Sequence, residues 1–314
     1  MFIVTGGAGF IGSNLVHALN GLGHDNIIVV DDLSDGHRFR NLATARIADY
    51  IDHADFRERI GENADFGPVR AVFHQGACSD TTEWDGRYML DTNFTFSKEV
   101  FAWCQSRGVP LIYASSAAVY GGSSDFTETN DGLRPLNVYG WSKLLFDQWV
   151  ARQDDLTARV VGLRYFNVYG PHEAHKGRMA SVIQHFSRQA NEDGVIKVFG
   201  ASHGFNDGEH RRDFVFVGDA VQVNLWAWES RTANGVYNVG TGQSRTFNDV
   251  AGAVIDFHGK GKIDYIPFPD DLRDAYQPVT EADIERLRRD GYAETFTPIE
   301  EGVAETLGAN LPDA

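Results

Sequence analysis

Short apolar runs, rich in β-branched and aromatic residues, recur along the first half of the chain. Small or polar residues close each one. The stretches FIVTG (2–6), IIVVDD (27–32), AVFHQGA (71–77) and PLIYASS (110–116) read as buried strands. Helical spacing fills the intervals between them, so the order predicts βαβ units and a parallel sheet. A third strand is placed to end at Asp49 in IADY. Another spans RVVGLRYFNVYG (159–170) and follows a helix around 142–152. After Gly170 the pattern turns irregular. IKVFG (196–200) and DFVFV (213–217) alternate with polar loops and helices, and ASHGFNDGEH (201–210) reads as a mobile surface loop.

Composition narrows the class without changing that picture. With 314 residues, 42% of them hydrophobic and 23% charged, the chain has ample material for a globular core. A net charge of -16 at pH 7 repels nucleic acid and anionic membrane surfaces. No apolar run is long enough to span a bilayer, and the N-terminus reads as neither a basic leader nor a cleavage site. The two cysteines, Cys78 and Cys104, lack metal-ligand spacing. They are expected to pack as free thiols in a cytoplasmic protein without a metal.

Candidate chemistry begins in TGGAGFIG (5–12), which follows the first strand and opens a helical pattern. Gly7, Gly9 and Gly12 fit G-x-G-x-x-G, while Gly6, Gly9 and Gly12 fit G-x-x-G-x-x-G. Missing side chains let backbone turn sharply against a pyrophosphate, which sits on the N-terminus of the helix that Phe10 and Ile11 begin. Asp31 and Asp32 end the second strand, where a carboxylate accepts hydrogen bonds from the adenosine ribose and favours NAD. Arg38, just downstream, suits the 2′-phosphate of NADP. NADP is the expected cofactor and NAD the alternative. Gln75, Gly76, Ala77, Cys78 and Ser79 follow the fourth strand, where backbone can approach the ribose and phosphates. Asp49 is placed to meet the adenine or to stand as a solvated loop acid.

PLNVYGWSKLLFDQW (135–149) carries Tyr139 and Lys143 four residues apart, hence on one helix face. An ammonium beside a phenol lowers the phenol's pKa, which suits proton exchange with a sugar hydroxyl while hydride moves to a nicotinamide. Ser115 and Ser116 close the fifth strand at the edge where open α/β sheets bind ligands, and Ser116 can bond the same substrate oxygen.

In their order and spacing, TGGAGFIG, SSAAVYG, YGWSK and RYFNVYGP resemble the extended short-chain dehydrogenase/reductase family across the whole chain. The resemblance implies a Rossmann-like doubly wound parallel sheet with a smaller C-terminal α/β substrate domain. It places the dinucleotide-binding domain at 1–170, with a returning segment near 214–240, and the substrate-binding domain at 171–213 and 241–314. It assigns catalysis to Ser116, Tyr139 and Lys143. Members that dehydrate sugars carry an acid pair where this chain has Ala117 and Ala118, so epimerase chemistry is expected.

GACSDTTEWDG (76–86), GPHEAHKGRMAS (170–181) and FPDDLRDAYQ (268–277) are similar to one branch of that family. Its members invert carbon 6 of an ADP-heptose, converting the D-glycero to the L-glycero form for the lipopolysaccharide inner core. This resemblance implies that Lys176 is a second acid/base, its pKa lowered by burial or by the nearby His172, His175 and Arg178. It adds Asn93, with Thr92 as the register alternative, Val168 and His53 to the cofactor contacts. It assigns Asn167, Arg178, His185, Phe199, Gly200, Ala201, Ser202, Arg212 and Tyr276 to substrate. Arg212 also has a physical warrant, since a guanidinium forks onto phosphate, with a salt bridge to Asp213 as its plain structural alternative. His53 and Asp32 depart from the branch, which has a fixed cation and an amide there, and the 201–213 loop is longer. The branch implies a homo-oligomer, a pentamer. Two other readings remain: a UDP-sugar 4-epimerase, which needs no Lys176, and a non-catalytic cofactor sensor, which needs no Tyr139.

Overall fold

The computed structural model describes residues 1–270 and 276–309; the centre of FPDDLRDAYQ, at 271–275, lies outside them. The first strands are β1 (Phe2–Thr5), β2 (Ile27–Asp31), β3 (Asp49–Asp52), β4 (Ala71–His74), β5 (Leu111–Ser116) and β6 (Val160–Tyr165). β7 (Asn167–Tyr169), β8 (Val195–Phe199), β9 (Arg211–Arg212), β10 (Phe214–Phe216), β11 (Gly235–Val239), β12 (Arg245–Thr246) and β13 (Lys262–Ile266) follow. Seven of them make one sheet in the order β3-β2-β1-β4-β5-β6-β11, all parallel. This is a doubly wound, Rossmann-like sheet.

The strands read as continuous apolar runs because both faces of the sheet are covered. The helices are α1 (Phe10–Gly21), α2 (His53–Gly61), α3 (Gly86–Leu90), α4 (Phe96–Arg107), α5 (Val138–Val150), α6 (Val182–Glu192), α7 (Val217–Glu229), α8 (Phe247–His258), α9 (Glu285–Arg289) and α10 (Ile299–Gly308). On one face Phe2 and Val4 pack with Leu15 and Leu19 of α1 and Val221 of α7. On the other Ile3 packs with Phe56 of α2, Phe101 of α4 and Phe146 of α5. A separate core joins Phe186 of α6, Val250 of α8, Val303 of α10 and Val198 of β8.

Four expectations of the sequence reading change. RVVGLRYFNVYG is two strands, because β6 pairs with β11 whereas β7 leaves the sheet to pair with β10. The break falls at Phe166, whose N–H donates to Val239 while the Asn167 N–H turns to Asp213. Asp49 opens β3 rather than ending it, so it stands at the end of the sheet away from the crevice. The helix expected near 142 starts at Val138, where Asn137 Oδ1 accepts the Gly140 N–H at 2.8 Å. The 201–210 loop is folded rather than loose: Ser202 and His210 are buried, and Ser202 and Phe205 form a bridge. Among the described residues, no helix is long and apolar enough to cross a membrane.

Candidate active site

The chain order of the strands reverses at the β1–β4 pair, the switch point where open α/β sheets take ligands. A cleft of about 650 Å³ opens there. Its floor is the turn from β1 into α1. Gly6 has φ of 67°, and a Cβ on it would lie 2.6 Å from the Gly76 nitrogen. A Cβ on Gly12 would overlap the Gly6 carbonyl oxygen. Gly9 is the N-cap of α1, with no side chain satisfying the helix's first N–H groups and no acid in its first turn. Gly6, Gly9, Phe10, Ile11 and Gly12 line the cleft, whereas Gly7 packs beneath against Val29. The spacing G-x-x-G-x-x-G therefore faces the ligand space. This cradle fits a pyrophosphate, since bare backbone and free helix N–H groups are what a close anion needs. Gly12→Ala is expected to cost roughly 1–3 kcal/mol from overpacking and to weaken dinucleotide binding. A wild-type melting curve together with wild-type cofactor titration would remove Gly12 from the cradle.

At the end of β2, Asp31 is buried and already engaged. Its Oδ2 accepts the Ala8 N–H at 2.7 Å, and its Oδ1 accepts the Asp32 N–H at 2.7 Å and Arg38 Nη2 at 2.8 Å. Burial raises its pKa while Arg38 opposes the shift. Asp32 is exposed on the cleft rim and accepts the Ser34 N–H at 2.7 Å. Arg38 also donates to the Asp32 carbonyl at 2.8 Å, and its Nε has no partner. His53, first residue of α2, lines the same rim.

Beyond β4 the segment Gln75, Gly76, Ala77, Cys78 and Ser79 lines the opposite wall. Thr92 lines it too; Asn93 does not. Asn93 is buried behind the wall, its Oδ1 accepting the Cys78 N–H at 2.8 Å and its Nδ2 donating to the Cys78 carbonyl at 2.9 Å. It holds this loop rather than facing the cleft. Both cysteines are free thiols.

Ser116, Tyr139 and Lys143 meet at the same crevice. Lys143 is buried and donates from Nζ to the Ala114 carbonyl at 2.9 Å. Burial pushes its pKa down to about 8, against the Asp147 carboxylate and the Cys78 thiol, which raise it. The Tyr139 phenol differs from the sequence expectation: its pKa is raised, because burial outweighs the hydroxyl of Ser116, and the Lys143 ammonium is turned to Ala114 instead.

Lys176 reaches the cleft from the loop that leaves β7. Its Nζ lies 5.2 Å from the centre of the Phe10 ring. Burial lowers its pKa, and Glu173 opposes this. The expected positive neighbours do not supply the shift. His172 and His175 are both pushed down to about 4, chiefly by burial, and so are neutral near pH 7. Arg178 is exposed and turns away to Thr82 Oγ1, at 2.7 Å.

Glu173, to which the sequence reading gave no role, shapes this loop. Its carboxylate is fully buried and accepts the Gly170 N–H at 3.2 Å, the Ser181 N–H at 2.6 Å and the Ser181 hydroxyl at 2.7 Å. Asn41 Nδ2 donates to the His172 carbonyl at 3.2 Å, pinning the loop beside α1.

Of the expected substrate contacts, Asn167 and Arg212 line the cleft, as does the expected cofactor contact Val168. Arg212 stacks 4.7 Å over the Tyr276 ring, and Asp213 turns away from it to Thr241, Gly242 and Ala282. Phe199 and Tyr276 line a smaller adjoining pocket of about 130 Å³, which shares Val182 and Phe247 with the cleft. Gly200, Ala201 and Ser202 line neither space: Ala201 N–H is taken by Asp207, and Ser202 Oγ lies 2.9 Å from His210 Nε2. Arg178 and His185 lie outside both, His185 with Nε2 3.2 Å from the Arg178 carbonyl. Tyr88, His175, Tyr165 and Phe247 line the cleft although no motif singled them out as contacts. His210 lines the small pocket from within the long loop.

The chain is similar in sequence and fold to known proteins. Residues 2–240 match the profile of the NAD dependent epimerase/dehydratase family. An ADP-L-glycero-D-manno-heptose-6-epimerase of Alkalilimnicola ehrlichii is 58% identical over 310 residues, covering 98% of this chain and 97% of that protein. The crystal structure of a Helicobacter pylori protein bearing the same enzyme name superposes with a TM-score of 0.83 at 30% identity, over 98% of this chain and 94% of that one. The UDP-glucose 4-epimerase of Thermus thermophilus, solved with NAD, superposes at 0.80 with 27% identity, over 98% and 97%.

Proposed function

The chain belongs to the NAD dependent epimerase/dehydratase family, and from that premise we propose that it inverts carbon 6 of the heptose in ADP-D-glycero-D-manno-heptose to give the L-glycero epimer, a precursor of the lipopolysaccharide inner core. The observation that carries this reading is that Tyr139 and Lys176, two proton-transfer groups from opposite halves of the chain, line one cleft. A 4-epimerase has no use for the second. A bound nicotinamide supplies the site that accepts and returns hydride.

The chain's own residues handle the protons. One of the pair takes the proton of the carbon-6 hydroxyl as the carbon–hydrogen bond breaks. The resulting carbonyl lies outside the pyranose ring and rotates about a single bond to present its other face. The second residue donates a proton to the oxygen as hydride returns. Burial suits Lys176 to this task, since the shift lowers the cost of its neutral form. Ser116 bonds the substrate oxygen beside Tyr139. Residues 171–213 and 241–314 form the substrate-binding part, with Arg212 on the diphosphate and Phe199 and Tyr276 in the small pocket. The test is incubation of the purified protein with ADP-D-glycero-D-manno-heptose and, separately, UDP-glucose. The L-glycero epimer is expected, and formation of UDP-galactose alone would overturn the reading.

NADP is the preferred form of the cofactor in this reading. Asp31, the acid that favours NAD, is occupied by two backbone amides and Arg38, and the Arg38 guanidinium itself lines the cleft beside it. A charge-assisted hydrogen bond contributes about 1.5–3 kcal/mol, so Arg38→Ala is expected to weaken NADP roughly tenfold or more and NAD far less. Calorimetric titration with both cofactors checks it, and equal losses would end the 2′-phosphate argument. A cytoplasmic homo-oligomer, a pentamer, completes the reading; light scattering of the purified protein gives its mass.

A further inference from the structure

Behind the catalytic helix lies a buried charge network that the mechanism above does not use. Asp147 follows Lys143 by four residues on α5, so it shares that face one turn further along. It is 1% exposed, yet its carboxylate is ionically paired. Oδ2 accepts Arg164 Nε at 3.0 Å and the Ser115 hydroxyl at 2.9 Å, and Oδ1 accepts the Tyr113 hydroxyl at 3.0 Å. Arg164, fully buried on β6, reaches the Tyr120 hydroxyl at 3.1 Å and the Thr129 carbonyl at 3.0 Å with Nη1. The carboxylate thereby grips β5 at Tyr113 and Ser115, on either side of Ala114. Ala114 supplies the carbonyl that holds the Lys143 ammonium, and Ser115 precedes Ser116.

We propose that Asp147 is a positioning residue for the reaction: it clamps the end of β5 to α5 and sets a paired carboxylate one helical turn from Lys143. The proposal rests on the catalytic reading of Lys143 given above. Removing one partner of a buried pair normally costs more than the pair contributes, so such a pair is weak evidence of stabilisation. Its location beside a buried lysine gives it a different use.

The groups that face Lys143 support the assignment. His74 on β4 is neutral, its pKa pushed down to about 3 by burial first and then by Lys143 itself. Its ring is held between Thr5 Oγ1 at 2.7 Å and Ser97 Oγ at 2.9 Å. Cys78 has a raised pKa, chiefly from burial. Tyr139, on the same helix, is also raised and so protonated. Asp147, paired with Arg164 at 3.0 Å, is the carboxylate among these groups. The groups that face Asp147 are Tyr113, Ser115 and Arg164, with Tyr120 and Asn130 beyond them on Arg164.

The test reads Lys143 directly, as the pH dependence of its acetylation by trace acetic anhydride, quantified by mass spectrometry on the full-length protein. This readout needs no turnover, so a wild type that fails to epimerise ADP-heptose would overturn the proposed function without touching the Lys143 measurement. Asp147→Asn is expected to move the Lys143 titration to lower pH by about one unit or more. Arg164→Met strips the cation that shields Asp147 and is expected to move it the opposite way. Tyr113→Phe removes one donor from the carboxylate while keeping the ion pair, and it too should raise the Lys143 pKa; it carries the test if neither charge variant folds. Loosened packing cannot produce shifts of opposite sign. An unchanged Lys143 titration in the variants that fold, with lowered melting temperatures, would make Asp147 a structural residue only.

Discussion

Tyr139→Phe is expected to lower epimerisation of ADP-heptose by roughly a hundred- to ten-thousand-fold, the usual contribution of a positioned acid/base group. Cofactor affinity and melting temperature should stay near wild type. The ring sits on the first turn of α5, whose N-terminus is capped by Asn137 rather than by the phenol. The phenol's polar neighbour is the hydroxyl of Ser116, which also accepts the Ala118 N–H at 3.1 Å and so keeps a partner when the phenol is gone. The raised pKa of Tyr139 means that the resting phenol suits one half-reaction more than the other. Without ligand the phenol holds its proton, which suits the half-reaction that reduces the carbonyl. For the oxidising half-reaction the phenolate has to be stabilised, and Lys143, one turn along α5, is a cation lining the same cleft. Initial rates on each epimer, followed by chromatography or NMR, measure the loss. Turnover near the wild-type rate would take Tyr139 out of the mechanism.

Local pattern carried the sheet. β1, β2, β4 and β5 are continuous apolar runs because helices cover both faces, and each sits where its run predicted. What local pattern misses is partnership. Nothing in RVVGLRYFNVYG says that Asn167 to Tyr169 pair with a strand some fifty residues later, and so local pattern predicts one strand. Local pattern puts Asp49 at the wrong end of β3 because the run around it is short and polar at both ends. The 201–210 stretch is rich in Gly, Asp and Asn, the composition of a solvated loop. Its His210 is nonetheless buried against Phe205, Phe268 and Tyr276.

The candidate site divides the same way. Residues fixed by backbone, such as Gly6, Gly9 and Gly12, were legible because glycine at a tight turn has a local cause. Side chains whose direction depends on distant partners were not. Arg178 points to Thr82, nearly a hundred residues away in sequence, and Asn93 turns from the cleft to the Cys78 backbone. Glu173 was visible as a residue but not as a staple, since only the fold brings Gly170 and Ser181 to its two oxygens.

Lys176→Met tests the other half of the proton chemistry. Methionine keeps an unbranched apolar chain beside Phe10 and removes the ammonium. The loop should keep its shape, because Glu173 and Asn41 hold it through Gly170, Ser181 and the His172 carbonyl rather than through Lys176. Interconversion of the two heptose epimers is expected to fall at least a hundredfold, again on the scale of one acid/base group. Hydride transfer on the face served by Tyr139 should survive in part. An ADP-sugar already carrying an aldehyde at carbon 6 separates the two outcomes. One molecule, as its hydrate, is oxidised to the acid while a second is reduced to the alcohol, so the cofactor cycles without any epimerisation. Wild type should catalyse this dismutation, and the Tyr139→Phe and Lys176→Met variants should each retain part of it while failing on the true epimer. Lowering the pH should also slow wild-type epimerisation, because burial lowers the pKa of Lys176 and so favours its neutral form, which acid removes. If Lys176→Met epimerises at the wild-type rate with saturating cofactor, Lys176 is at most a cofactor contact and one residue serves both faces of the carbonyl.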